Sequence, residues 1–244
     1  MTDLIVVTGS SGALGRSIVD AFSSRSNTKL FCIDRAKVNF TNQKQNITEF
    51  EADLSSYDMT AEAISQIEVE DFEYCSLLNL AGLIYNEPIV SIREGMFTPH
   101  SEQGWRQTLD SNLDTAFNAS VHFANALMSA RRKGVIINLS SITADGNPGQ
   151  LAYATTKAAL TGLSNTIGKE LGKFGIRGVS VSLGYIETLS TIEALGEEKI
   201  RSQKRMNPIK RIGDVKEVIN AIEFVIANRF CNATEIKIDG GQRI

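Results

Sequence analysis

Short runs of apolar, often β-branched residues recur along the chain, separated by longer stretches in which apolar positions return every three or four residues. Runs of the first kind suit buried strands, and stretches of the second suit helices that cover a sheet. The pattern predicts strands at Leu4–Thr8, Lys29–Ile33, Phe50–Ala52, Cys75–Asn79, Val135–Leu139, Val179–Leu183 and Glu235–Ile238. It predicts helices over Leu14–Phe22, Thr60–Ile67, Trp105–Ala130, Tyr153–Phe174 and Val215–Ala227. Alternation of this kind builds a parallel sheet with helices on both faces, so the expected fold is α/β, a doubly wound sheet of seven strands. Two segments, Leu83–Gly104 and Leu189–Lys210, are too long for tight connections and are read as substrate loops. No repeat, low-complexity tract or linker interrupts the rhythm, and one domain over residues 1–244 is expected.

Composition narrows the function classes. With 42% hydrophobic and 22% charged residues, the chain can bury a full core. The formal charge of −3 and the absence of a basic stretch longer than Arg131-Arg132-Lys133 argue against nucleic acid as a partner; that trio reads as a solvated helix end. Cys32, Cys75 and Cys231 lie far apart in or beside apolar runs, which suits reduced thiols better than disulfides. The first predicted strand follows Met1-Thr2-Asp3 directly, and no apolar run reaches membrane-spanning length. A cytoplasmic protein with no membrane partner is expected.

The first strand-to-helix turn reads Thr8-Gly9-Ser10-Ser11-Gly12-Ala13-Leu14-Gly15. Such a turn aims free backbone N–H groups and the positive end of a helix at a phosphate, and its glycines permit close backbone approach. In this position it predicts dinucleotide binding by a Rossmann-type sheet. The second strand ends in Ile33-Asp34, where a carboxylate can accept from the adenosine ribose hydroxyls and repel a 2′-phosphate. Arg35, next to it, could accommodate that phosphate or lie over the adenine face. NAD(H) is therefore favoured, with NADP(H) left open.

Tyr153 and Lys157 stand four residues apart in a predicted helix and share one of its faces. A phenol has an ordinary pKa near ~10, and an adjacent cation stabilises its phenolate, so the pair can exchange protons with a substrate. Ser140 lies thirteen residues before Tyr153, and Asn112 about forty. Taken singly these residues are unexceptional: Tyr/Lys pairs are common on helices, Ser140-Ser141 is an ordinary strand end, and Asn112 could be a buried amide satisfying backbone. His100 and His122 are too isolated for a metal site and read as packing residues, as do Met96-Phe97 and Trp105. Glu193, Glu197 and Glu198 read as a solvated face of a mobile substrate helix.

Together, in this order and spacing, the motifs from Leu4 to Gly241 resemble the short-chain dehydrogenase/reductases. Asn79-Leu80-Ala81-Gly82 is similar to that family's NNAG element, Tyr153/Lys157 to its YxxxK pair, and Asp239-Gly240-Gly241 to its usual ending. The resemblance implies hydride transfer between a nicotinamide cofactor and a secondary alcohol or ketone. Tyr153 would be the acid or base, Ser140 would hydrogen-bond the substrate oxygen, Lys157 would lower the phenol pKa and hold the nicotinamide ribose, and Asn112 would hold a relay water. Gly9, Ser10, Ser11, Gly12, Ala13, Leu14, Gly15, Asp34, Arg35, Asp53, Leu54, Asn79, Ala81 and Gly82 would contact the cofactor, as would Gly184, Ile186 and Thr188 after the sixth strand.

The chain also departs from the family pattern. Its first loop is TGxxGxxG rather than TGxxxGxG, Leu183-Gly184 replaces Pro-Gly, and Gly82–Trp105 is roughly eight residues longer than is usual, placing His100 over the active-site mouth. The loop, the insertion and the length together resemble oxidoreductases of bacterial surface-sugar or flagellin-glycan synthesis, implying a sugar-related substrate. The alternative is a 3-oxoacyl-(acyl-carrier-protein) reductase. An alternative of another class is a cofactor-binding sensor without turnover, and relatives of that kind usually lose the Tyr, Lys or Ser. A homo-oligomer, dimer or tetramer, is expected because Ala116, Phe117, Val121, Phe123, Leu127, Leu160, Leu163, Ile167 and Leu171 spread around more than one stripe of the two long helices. In relatives of the family these helices pair between subunits, and a tetramer would add Ala233–Ile244.

Overall fold

The computed structural model describes residues 3–40 and 45–243. Seven strands form one parallel sheet: β1 (Asp3–Thr8), β2 (Thr28–Asp34), β3 (Ile47–Glu51), β4 (Tyr74–Asn79), β7 (Lys133–Ser141), β8 (Ile176–Leu183) and β9 (Thr234–Ile238), in the order β3-β2-β1-β4-β7-β8-β9. All seven predicted strands are present, most of them longer than the apolar runs alone marked. Period-two alternation distributes each strand between two cores. Leu4 and Val6 of β1 face α2 (Tyr57–Ser65), α4 (Thr115–Ser129) and α5 (Leu151–Leu171), while Ile5 and Val7 face α1 (Ala13–Ser23) and α7 (Val215–Ala227). The strand order reverses between β1 and β4, and a crevice at the carboxyl ends of the strands opens at such a point.

Local chemistry explains where the predicted helices moved. Ser56 accepts from Met59 N and starts α2 at Tyr57, three residues before the predicted Thr60. Ser101 likewise caps Gly104 N and starts α3 (Glu102–Leu109). The predicted helix Trp105–Ala130 is not continuous: a π-turn over Asp110–Asp114 separates α3 from α4. Such turns add a residue to one helical turn and concentrate at functional sites.

The two segments read as loops are structured. Leu83–Gly104 carries an antiparallel hairpin, β5 (Val90–Arg93) and β6 (Met96–Pro99), closed by Glu94 and Gly95 with φ of 51° and 78°. Two successive left-handed residues are what a two-residue hairpin turn requires, but Glu-Gly is a weaker signal than Asn-Gly. Met96 and Phe97 do not pack onto the domain as expected, since Phe97 is 74% exposed. Leu189–Met206 forms α6, capped by Thr188 and broken at Gly196. The side chain of Glu193 and the terminal Ile244 lie outside the described residues. No helix among the described residues is long and apolar enough to cross a membrane.

Candidate active site

The glycine turn follows β1 and carries the chain into α1. Gly9 has φ of +68°, and a Cβ there would stand 2.5 Å from Ala81 N; a Cβ on Gly15 would stand 2.2 Å from Gly9 O. Two glycines therefore let the turn lie against both its own helix and the end of β4. Gly12 begins α1 without a side-chain cap, and no acidic residue occupies the first turn around Ala13 and Leu14, so the helix's free N–H groups keep their positive end. Ser10 is buried beneath the turn.

Eight of the expected cofactor residues share one cleft, and Asp53 stands outside its lining. Gly9, Ser11, Gly12, Asp34, Arg35, Leu54, Ala81 and Gly82 line one cleft of about 230 Å³, together with Leu83, Ser111 and Thr115, which the motifs did not mark. Asp34 stands at its edge, its Oδ2 accepting from Ser11 N at 2.8 Å and its Oδ1 from Arg35 N at 2.7 Å. The Arg35 guanidinium is turned to Asp53, at 3.1 Å. Burial raises the Asp53 carboxyl, but hydrogen bonds from Ser55 and the charge of Arg35 outweigh it and hold the group below its ordinary value. Turn, helix end and carboxylate have the chemistry a dinucleotide needs: donors for its phosphates and acceptors for its ribose.

Asn79 is buried and does not line the cleft. Its Nδ2 donates to Ser120 Oγ at 3.0 Å and Asn138 Oδ1 at 2.8 Å, while Thr8 Oγ1 accepts from Leu80 N at 3.2 Å. Asn79 thus anchors the floor on which Leu80 and Ala81 sit. On the far side of the sheet end, Gly184 N donates to Ile238 O, Ile186 is buried and bridges to Gly213, and Thr188 caps α6. None of these three lines that cleft.

The proton-handling residues gather at the carboxyl end of β7. Lys157 is buried, with Nζ donating to Leu139 O at 2.8 Å and lying 5.6 Å from the centre of the Tyr153 ring. Burial disfavours its ammonium and brings its pKa down to about 8. Burial also raises the Tyr153 phenol to about 12, and the hydrogen bond that opposes this comes from Ser141. With no cofactor or substrate in the site, burial is the largest influence on both groups.

The two serines at the end of β7 face different partners. Ser140 Oγ donates to Lys157 O at 2.8 Å inside the core, so it is committed to backbone, and Ser141 is the hydroxyl that meets Tyr153. Strand alternation carries the signal that could have found this: Ile136, Asn138 and Ser140 share the face beneath α5, with Asn138 Nδ2 donating to Ser164 Oγ at 2.9 Å.

Asn112 sits in the π-turn, fully buried. Its Oδ1 accepts from Leu83 N at 2.8 Å and its Nδ2 donates to Leu83 O at 2.9 Å. The side chain clamps the cleft's rim through these two contacts. The insertion is anchored beside the start of α5: Glu87 bridges to Gln150, and Gln150 Nε2 donates to Asn86 Oδ1 at 2.8 Å. Glu87 Oε2 accepts from Ser101 Oγ at 2.7 Å and Tyr85 Oη at 3.0 Å, and lies 3.3 Å from His100 Nδ1. His100 packs in that stem, and His122 packs edge-on against Tyr57. Among the described residues no three His, Cys, Asp or Glu side chains gather as a metal would require.

Comparison with known proteins fits this arrangement. A family model described as short chain dehydrogenase matches residues 3–199. The 3-oxoacyl-[acyl-carrier-protein] reductase of Staphylococcus aureus (strain Mu50 / ATCC 700699) is 29% identical over 251 residues, covering 99% of this chain and 98% of that one. The (3R)-3-hydroxyacyl-CoA dehydrogenase of Canis lupus familiaris is 31% identical over 203 residues, covering 77% and 75%. A solved structure of 4-hydroxyisoleucine dehydrogenase complexed with NADH superposes with a TM-score of 0.86 at 24% identity, covering 98% of each chain. The chain belongs to the short chain dehydrogenase family and is an oxidoreductase that acts on CH–OH and keto groups with a nicotinamide cofactor.

Proposed function

We propose that this chain interconverts a secondary alcohol and a ketone with NAD(H), and that Tyr153 exchanges the proton at the substrate oxygen. The observation that carries the reading is the Tyr153–Ser141 pair beside buried Lys157, at the switch point that also holds the dinucleotide cleft. The bound cofactor supplies the nicotinamide carbon that gives or takes hydride. Tyr153, with its phenol near 12, is neutral at pH 7 and can give a proton to an alkoxide forming in reduction. Ser141 donates to the same oxygen. Lys157 spends one N–H on Leu139 O, which leaves two to hold the nicotinamide ribose and to stabilise Tyr153 when it loses its proton. Asn112 positions the Leu83 backbone along the cleft.

Two contacts favour NAD(H) over NADP(H): Asp34 faces the cleft, and Arg35 is engaged by Asp53. The substrate is a secondary alcohol or ketone, sugar-related by the first resemblance. The reading as a 3-oxoacyl or 3-hydroxyacyl thioester is favoured by the two named relatives and by the hairpin anchored next to Gln150, where Val90, Ile92 and Phe97 stay exposed and could lie along an aliphatic chain. Buried Cys32 and Cys75, whose thiols burial pushes up to about 12, suit a reducing compartment such as the cytoplasm.

A homo-oligomer through α4 and α5 completes the reading. Of the nine apolar positions behind it, Ala116, Phe123, Leu127, Leu160 and Ile167 are consumed by the subunit's own core, whereas Phe117 remains 43% exposed. Light scattering at micromolar concentration should give a multiple of 26.6 kDa.

The functional test is a fluorescence screen of sugar ketones and 3-oxoacyl thioesters with NADH and NADPH. Oxidation of NADH by one class is expected, and binding of NADH with no turnover of any would favour a sensor. Within the active class, Ser141→Ala should lower kcat by ~10²-fold, the usual effect of removing a donor to a developing oxyanion. Ser140→Ala should cost only a few-fold, and the opposite ranking would return the donor role to Ser140.

A further inference from the structure

We propose that Asp53 is a specificity-determining residue that disfavours NADP(H) by holding the Arg35 guanidinium away from a 2′-phosphate. This inference rests on the reading of the cleft as the dinucleotide site. The strand end carries two elements of opposite preference. Asp34 repels a 2′-phosphate, but its carboxylate is fixed by Ser11 N and Arg35 N. Arg35, one residue on, has the charge and planar fork to bind that phosphate. It lines the same cleft. What decides between them is where the guanidinium rests, and it rests 3.1 Å from Asp53 Oδ1.

Asp53 is itself held in place. The same Oδ1 accepts from Ser55 N at 3.0 Å and Ser55 Oγ at 2.7 Å, directly after β3 and just before the cap of α2. A carboxylate fixed by its own backbone turn presents Arg35 with a partner whose geometry costs little further ordering. The other cation at the turn, Arg16, has given its Nε–H to Ser11 O at 2.8 Å. To bind NADP(H), the chain would have to release the Arg35 pair.

The pair is part-exposed, with side chains 58% and 42% accessible, so screening keeps its effect small. Exposed pairs contribute little, which limits the discrimination by Asp53 to roughly fivefold at low salt. Asp34 carries the remainder.

Asp53→Asn separates the two jobs of the residue, because an amide oxygen can still accept from Ser55 while the charge opposite Arg35 is lost. Titration of NADH and NADPH by fluorescence enhancement into the unmodified chain, D53N, R35A and the double variant decides. D53N should raise the ratio of NADPH to NADH affinity about three- to fivefold, the gain falling on NADPH. In the R35A background the same change should have no effect on NADPH. An unchanged NADPH affinity in D53N overturns the proposal, and so does an equal gain for both cofactors. A gain that persists without Arg35 also overturns it, by assigning the effect to direct repulsion from Asp53. Failure of the unmodified chain to bind either dinucleotide would remove the cofactor reading and the latch together, whereas tight NADH binding with any of the three overturning results removes the latch alone.

Discussion

Tyr153→Phe should lower kcat by ~10²–10⁴-fold while NADH affinity stays within about twofold. The substitution removes one oxygen and leaves the ring that packs 5.6 Å from Lys157 Nζ, so the shape of the site is retained. What is lost is the proton that reduction delivers to the substrate oxygen and that oxidation removes from it. Burial has already pushed that phenol to about 12, so at neutral pH it is fully protonated and Ser141 is its polar partner. The loss should fall on kcat and kcat/KM alike, the pattern of an interaction made only in the transition state. Single-turnover hydride transfer, followed by NADH absorbance with a thermal melt to confirm folding, measures it. A rate within tenfold of the unmodified enzyme would remove Tyr153 from the chemistry.

Arg177→Met should destabilise the chain by about 3 kcal/mol or more without altering cofactor binding by the folded fraction. Arg177 lies in β8 and is 5% exposed. Among the described residues no carboxylate forms an ion pair with it. Its Nε and Nη2 donate to Tyr74 Oη at 3.0 and 2.8 Å, its Nη1 to Asn228 O and Cys231 O at 3.2 and 2.6 Å, and its Nη2 to Val225 O at 2.8 Å. Several of these carbonyls end α7, where the helix leaves acceptors unpaired and carries its negative pole. The guanidinium therefore satisfies a helix end, a following loop and a buried phenol at once. Methionine fills similar space and donates nothing, so several acceptors lose their partner in a dry setting. For a chain of this length, a loss of 3 kcal/mol lowers Tm by roughly 6–12 °C. Urea unfolding with an unchanged m-value would confirm the mechanism, and a change under 1 kcal/mol would show that water replaces the guanidinium.

Arg177 shows one limit of reading the chain. In sequence it is a polar residue in the apolar run Ile176–Leu183, and nothing local says that Tyr74, some hundred residues earlier, and the end of α7, some fifty later, will both meet it. The two segments read as loops show another. The hairpin at Val90–Pro99 has four-residue strands and an exposed apolar face, so the alternation that marks a half-buried strand has no core to report on. The interrupted helix at Asp110–Asp114 has a third cause: a π-turn keeps the apolar rhythm nearly intact while shifting it by one residue.

By itself the sequence determined the alternation of strands and helices, the glycine-rich turn at Gly9–Gly15, the acidic end of β2 and the Tyr153/Lys157 pair. Each of these is a local pattern, fixed by the two-residue period of a strand, the helical repeat or the torsional freedom of glycine. Tertiary structure alone decided which neighbour each polar group would find. It placed Ser140 under α5 and Ser141 against Tyr153, clamped Asn112 on Leu83 and engaged Arg35 with Asp53. It also buried Tyr153 and Lys157 together, which raises the phenol and lowers the ammonium. Desolvation and long-range hydrogen bonds depend on distances across the fold, and spacing along the chain does not encode those distances.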